Sequence, residues 1–315
     1  MQLEVRRKVA LARDIVLFSL VDPARGELAP FTAGAHLLVT TPNGRAREYS
    51  ICNAPTERHR YLIAVKREPA GEGGSTSMID ELHVGMRVDA AGPRNHFPLH
   101  EEASSHLLIA GGIGITPLRA MALHLAQREA EFELHYVTRS AEVAAFLQEL
   151  SSPQWAARVR IHHDGGDPSR GLPLAALLAE RHGNAHLYCC GPRGLMRAVR
   201  AAACHWPAAA VHFEDFGTSP EEASEHAADH EFSVRLARSG LSVPVAKDVS
   251  ILEAIRRAGV SVPSSCESGT CGTCRTRLLE GTADHRDFVL GEDEQQDEIM
   301  ICVSRAVSRE LVLDL

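Results

Sequence analysis

The sequence predicts a multi-domain chain: an antiparallel β-barrel, then a doubly wound α/β domain, then a compact α+β domain on a mixed sheet. Three observations predict it. The first hundred residues carry short β-rich runs at regular spacing, separated by turn residues. From His106 the pattern changes to strands alternating with helical stretches. Near the C-terminus Cys266, Cys271 and Cys274 stand at C-x4-C-x2-C spacing, with Cys302 as a distant fourth. At 315 residues the chain suits two or three domains.

In the first part the strand-like runs are 15–21, 36–40, 45–52 and 61–66, with a last strand near 87–91. Asp22-Pro23, Pro42-Asn43-Gly44 and Gly71-Glu72-Gly73-Gly74 separate them. One helix, 75–81, follows the last of these turns. In the second part, strand 106–110 runs through Gly111-Gly112-Ile113-Gly114-Ile115-Thr116-Pro117 into a helix ending near 128, with Pro117 suited to its first turn. Strands at 132–138, 159–162, 186–190 and 211–217 then alternate with helices at 143–150, 174–181 and 194–203. A small, acidic, aperiodic stretch at 220–230 reads as a linker. Beyond it come a hairpin (231–238 and 241–245), a helix at 250–258 with Ser250 and Glu253 in a capping box, the cysteine loop, and strands 275–280, 300–305 and 311–313. The expected domains are therefore 1–100, 101–219 and 231–315.

Composition excludes several classes. A net charge of −8 argues against nucleic acid or an anionic membrane as the main partner. No apolar run is long enough to span a bilayer and the N-terminus lacks a signal-peptide core, so a cytoplasmic protein is expected. Of the eight cysteines, Cys52, Cys189, Cys190 and Cys204 suggest no disulfide framework.

Three constellations carry chemistry. The four C-terminal cysteines match the spacing by which plant-type ferredoxins hold a [2Fe–2S] cluster: a tight loop supplies three thiolates and a later strand the fourth. A structural zinc site is the alternative, but zinc ribbons present two similar C-x2-C pairs. The turn Gly111–Pro117, between a strand and a helix, is a place where backbone amides stabilise a pyrophosphate, and equally a tight turn that packs closely. It is not G-x-G-x-x-G. Cys190-Gly191-Pro192 ends another strand of the same sheet, which puts both loops at the carboxyl edge where open α/β sheets bind ligands. In the barrel, Arg47-Glu48-Tyr49-Ser50 offers a cation, an aromatic face and a hydroxyl, and Gly73-Gly74-Ser75-Thr76 at a helix start is a phosphate candidate. Surface charge for Arg47 and core packing for Tyr49 explain those two residues as well. His162-His163-Asp164 reads as a strand end rather than a metal site.

Taken together, Arg47-x-Tyr49-Ser50, Gly111–Pro117, Cys190-Gly191-Pro192 and the cysteine pattern occur in the order of the phthalate dioxygenase reductase family, which the whole chain resembles. The resemblance implies an FMN-binding barrel, an NADH-binding domain and a C-terminal plant-type ferredoxin domain of β-grasp fold. It implies electron delivery to a separate Rieske non-haem iron oxygenase. By position, Arg47, Tyr49, Ser50, Ala64, Val65, Lys66, Gly74, Ser75 and Thr76 would contact FMN, with Phe216 closing over the flavin. Gly112, Gly114, Thr116, Pro117, Arg139, Cys190, Gly191 and Pro192 would serve NAD, and Cys266, Cys271, Cys274 and Cys302 the cluster. Glu48, beside the phosphate-binding Arg47, departs from the family pattern. No general acid or base is expected, because the cofactors carry the chemistry. A monomer is expected. Other readings are the same electron path feeding a diiron or haem oxygenase, and a zinc-stabilised binding protein.

Overall fold

The computed structural model describes residues 1–217, 230–291 and 293–315. The expected linker therefore lies outside the described residues except for His230. The chain forms two compact units, Met1–Glu214 and Asp215–Leu315.

The first unit begins with β1 (Gln2–Ala12), β2 (Ile15–Val21), β3 (His36–Thr40), β4 (Ala46–Ser50), β5 (Tyr61–Lys66), α1 (Gly74–Glu81) and β6 (Arg87–Arg94). The strands form an antiparallel sheet in the order β4-β3-β6-β1-β2-β5. A bridge between Ile51 and Ile63 joins the two edge strands and closes the barrel, which removes unpaired edges. Leu3, Val5, Phe18, Leu20, Leu37, Val39, Ile63 and Val65 fill its interior. The sequence does not announce β1 as a strand, because Arg6-Arg7-Lys8 interrupts the apolar alternation begun by Leu3 and Val5. The structure gives Lys8 a use: its Nζ donates to the Ile79 carbonyl at 2.6 Å and the Leu82 carbonyl at 2.9 Å, satisfying the C-terminal end of α1.

The same unit continues with β7 (Ser105–Gly111), α2 (Ile115–Gln127), β8 (Phe132–Thr138), α3 (Leu147–Leu150), β9 (Val159–His163), α4 (Leu174–Leu177), β10 (Ala185–Cys190), α5 (Arg193–Ala202) and β11 (Val211–Glu214). All five strands are parallel, in the order β11-β10-β7-β8-β9. The strand order reverses between β7 and β10, and ligands of such sheets bind at that point. Two expected helices shrink to single turns. Before α3, Phe146 adopts a left-handed conformation (φ 60°) and packs into the core, so no helix runs through it. After α4, the Leu178 carbonyl accepts the Trp206 indole N–H at 3.1 Å, which ends the helix there. The strand expected to reach 217 ends at Glu214.

The second unit carries β12 (Phe232–Leu236), β13 (Ser242–Val245), α6 (Ile251–Arg257), β14 (Arg275–Glu280), β15 (Ala283–Asp284), β16 (Glu298–Met300), β17 (Arg305–Ala306) and β18 (Glu310–Leu313). Its main sheet has the order β13-β12-β18-β14-β16, with β12 and β18 parallel and the remaining pairs antiparallel. Helix α6 buries Ile251, Leu252 and Ile255 in this unit's core. Ser250 caps it by accepting the Glu253 N–H at 3.1 Å, while the Glu253 carboxylate goes to Arg257 rather than completing the box. Residues 300–305, expected as a strand, contain instead a turn between β16 and β17, closed by the Ser304 N–H on the Met300 carbonyl at 3.0 Å. Cys302 sits on that turn.

Candidate functional site

In the cysteine loop Glu267, Gly269 and Gly272 all have positive φ (52°, 79° and 80°). Gly269 is required by contact as well as conformation, because a Cβ there would lie 2.7 Å from Val303 Cγ2, next to Cys302. The buried Asp287 accepts the N–H groups of Val289 at 2.9 Å and Leu290 at 2.7 Å, and the Phe288 N–H donates to the Gly269 carbonyl. These bonds tie the segment 287–290 to the loop, and Gly269 packs against Val303 beside Cys302. For each of Cys266 and Cys274 the strongest influence is another thiol of the four, Cys271 on Cys266 and Cys302 on Cys274. The Ser268 N–H also points at Cys266 Sγ, and the Cys266 N–H at Cys271 Sγ, each at 3.5 Å. The Cys271 contact, then the bonds from Ser268 and Thr270, hold the Cys266 thiol well below a cysteine's ordinary range. Among the described residues no three His, Cys, Asp or Glu converge on one point that could hold a single ion. Four thiols suit two irons with two thiolates each, whereas zinc needs four donors around one centre. The residues fit a [2Fe–2S] cluster.

In the barrel, the β3–β4 register sets Tyr49 opposite Leu37 and Arg47 opposite Val39, with Glu48 and Ser50 on the other face. Glu48 turns to His36, at 3.4 Å, and so stands away from Arg47. The contact with His36 lowers its carboxyl below the usual range. Burial pushes the Tyr49 phenol up to about 12, so it stays neutral. Arg47 reaches the start of α1, where a Cβ on Gly74 would be 3.2 Å from its Cγ. Gly73 opens that helix with φ 81° and offers no side-chain cap. The guanidinium and the helix N-terminus thus converge, as an anion site requires. At present Glu72 occupies Arg47, with Arg45 3.7 Å away on the same carboxylate. Ser75 Oγ accepts the Glu68 N–H at 3.0 Å. On β5, Ala64 and Val65 are buried and Lys66 is exposed, 3.9 Å from Glu68. Ser50 donates to Glu214 at 3.4 Å. Phe216 is 48 % exposed and belongs to the second unit.

At the sheet's switch point the glycines divide their duties. A Cβ on Gly114 would lie 2.1 Å from the Cys190 carbonyl oxygen, and one on Gly191 would lie 2.8 Å from Gly111 Cα. These three residues let the two loops touch. Gly112, with φ 54°, has nothing within 4 Å of where its Cβ would be, so it is the one facing open space. Thr116 is buried and its hydroxyl donates to the Ile113 carbonyl at 3.0 Å, while Pro117 lies in the first turn of α2. The Cys190 side chain is fully buried. Arg139 follows β8 at the surface, its carbonyl accepting the Gly165 N–H. His162 bonds His135 at 3.1 Å and His163 bonds Thr138 at 2.8 Å.

Three family models match in sequence: an oxidoreductase FAD-binding domain over residues 2–98, an oxidoreductase NAD-binding domain over 108–201 and a 2Fe-2S iron–sulfur cluster binding domain over 234–307. The phthalate dioxygenase reductase of Burkholderia cepacia is 50 % identical over 100 % of this chain and 97 % of its own length. The chain belongs to the phthalate dioxygenase reductase family. The reductase subunit of phthalate 4,5-dioxygenase from Pseudomonas putida is 48 % identical over 99 % of this chain and 96 % of its own. A solved phthalate dioxygenase reductase structure matches with a TM-score of 0.72, covering 100 % of this chain and 98 % of that one. As a reductase of this family, the protein moves electrons from NADH through its flavin domain to a [2Fe–2S] cluster. Sequence reasoning missed Arg45 and Glu72, which meet Arg47 beside the start of α1. Two signals for them were available: Arg45 shares a face with Arg47 at period two, and Glu72 adjoins the glycine turn. No helix among the described residues is long and apolar enough to cross a membrane.

Proposed function

We propose that this reductase serves a Rieske non-haem iron oxygenase and that its flavin is FMN. The observation that carries FMN is the convergence of Arg47 and the uncapped N-terminus of α1 on one anion position within the barrel. A terminal phosphate suits such a position. In this reading Arg47, Gly74, Ser75 and Thr76 hold the phosphate, and Tyr49, Ser50, Ala64, Val65 and Lys66 line the ring. Gly112, Gly114, Thr116, Pro117, Arg139, Cys190, Gly191 and Pro192 form the NAD crevice, and Cys266, Cys271, Cys274 and Cys302 bind the irons. The domains are 1–100, 101–219 and 231–315, joined by the linker 220–230.

A bound flavin supplies the step from a two-electron donor to one-electron acceptors. The protein's part is to place and shield the reactants rather than to move a proton. The neutral, half-buried Tyr49 offers an apolar face, and Gly112 leaves backbone open toward the crevice. Acid extraction of the purified holoprotein followed by chromatography tests the flavin, with FMN expected; FAD would overturn that assignment. Reconstitution with a Rieske oxygenase and with a haem oxygenase tests the partner. NADH-driven turnover of the first is expected, and turnover of the second alone would replace the reading.

A further inference from the structure

Helix α2 leaves the glycine turn and, one turn on, carries Arg119. Its side chain is only 12 % exposed. Nε donates to both Glu149 carboxylate oxygens at 3.1 Å, and a terminal nitrogen donates to one of them at 2.8 Å. The guanidinium carbon stands 4.6 Å from the Phe146 ring centre. The other terminal nitrogen donates to the Cys52 carbonyl, in the barrel. Cys52 lies two residues beyond Ser50. Its own N–H and thiol both donate to the Leu62 carbonyl, at 2.8 and 3.2 Å, two residues before Ala64. One planar, charged fork therefore joins the helix of the nucleotide turn to both barrel strands assigned to the flavin.

A part-buried ion pair is weak support for stability, since apolar residues of similar volume often serve as well. It is strong support for geometry, because an arginine fork fixes direction and distance together. Transfer between two bound rings is sensitive to that geometry, and a displacement of about 1 Å can cost roughly a hundredfold in rate. We infer that Arg119 is a positioning residue for hydride transfer, setting the nucleotide crevice against the flavin strands. The inference rests on the FMN and NAD subsites proposed above.

The test compares the wild type with Arg119→Met/Glu149→Leu, which removes both charges together, and with Arg119→Lys, which keeps one donor. The wild type is measured first: absence of FMN, or no reduction by NADH, removes the subsite reading itself. In the double variant, flavin and NADH affinities should stay within about twofold of wild type. The anaerobic rate of flavin reduction should fall at least about tenfold, and charge-transfer absorbance on NADH addition should weaken. Arg119→Lys should recover part of that rate. In flavin-free protein, hydrogen exchange at the Cys52 amide should accelerate in the double variant. A wild-type reduction rate per bound flavin in the double variant would overturn the inference, as would a loss of flavin affinity that accounts for the whole loss of activity.

Discussion

Glu72 sits where an anionic ligand of Arg47 must go. The Arg47 hydrogen bond, with Arg45 nearby, keeps its carboxyl below the usual range, so at neutral pH it competes as an anion. Glu72→Gln should therefore tighten flavin binding, though only by a few-fold because the pair is exposed; fluorescence titration measures this, and weaker binding would contradict it. At the switch point, Gly114→Ala forces a methyl to 2.1 Å from the Cys190 oxygen. Overpacking of this kind costs about 1–3 kcal/mol, readable in urea unfolding, and it should weaken NADH binding as the loops part. The sequence shows a glycine-rich turn but not which glycine packs and which faces ligand. Gly114 packs because the Cys190 carbonyl of β10 comes against it from far along the chain, whereas Gly112 turns with positive φ into open space. The four cysteines were legible because metal ligation imposes its own spacing. The Arg47–Glu72 contact was not, because nothing local links a strand to a turn 25 residues on.

Elements whose pattern was complete in themselves, such as β7, β8 and β10 with their aliphatic runs, follow the sequence closely. Those decided by a distant partner do not. Helix α4 stops where Trp206 takes a carbonyl, and β1 forms beneath a basic run because the barrel pairs it on both sides. Lys8→Met should lower stability by about 1 kcal/mol by uncapping α1, which a shift in the urea midpoint would show. The parallel sheet carries a stack of imidazoles: His186 bonds His212 at 2.9 Å and lies against His100, with ring centres 4.3 Å apart. Burial, then neighbouring histidines, pushes His186 and His212 down to about 4. Unfolded histidines titrate near 6.5, so between these values the unfolded chain binds more protons. Stability should fall as pH drops from about 6.5 toward 4, and thermal melts with His212→Gln should show a shallower fall.

Across the whole molecule, the residues proposed for flavin and nucleotide, Phe216 apart, belong to the first unit and the four cysteines to the second. Cys302→Ser should accordingly lose the cluster's visible absorption while keeping flavin and NADH-driven reduction of a two-electron dye. Loss of both would contradict the division. An acidic run between Cys274 and Cys302 suggests electrostatic steering of a partner, but the structure uses much of it internally. Arg275 takes Glu294 and Glu298, Arg286 takes Asp284, and Asp287 is buried beneath the loop. The four thiols are expected to hold two irons downstream of one flavin. Quantifying iron, acid-labile sulfide, zinc and flavin in the purified holoprotein tests it most directly. Two irons, two sulfides and one flavin per chain are expected, whereas one zinc with no sulfide, or iron without flavin, would contradict it.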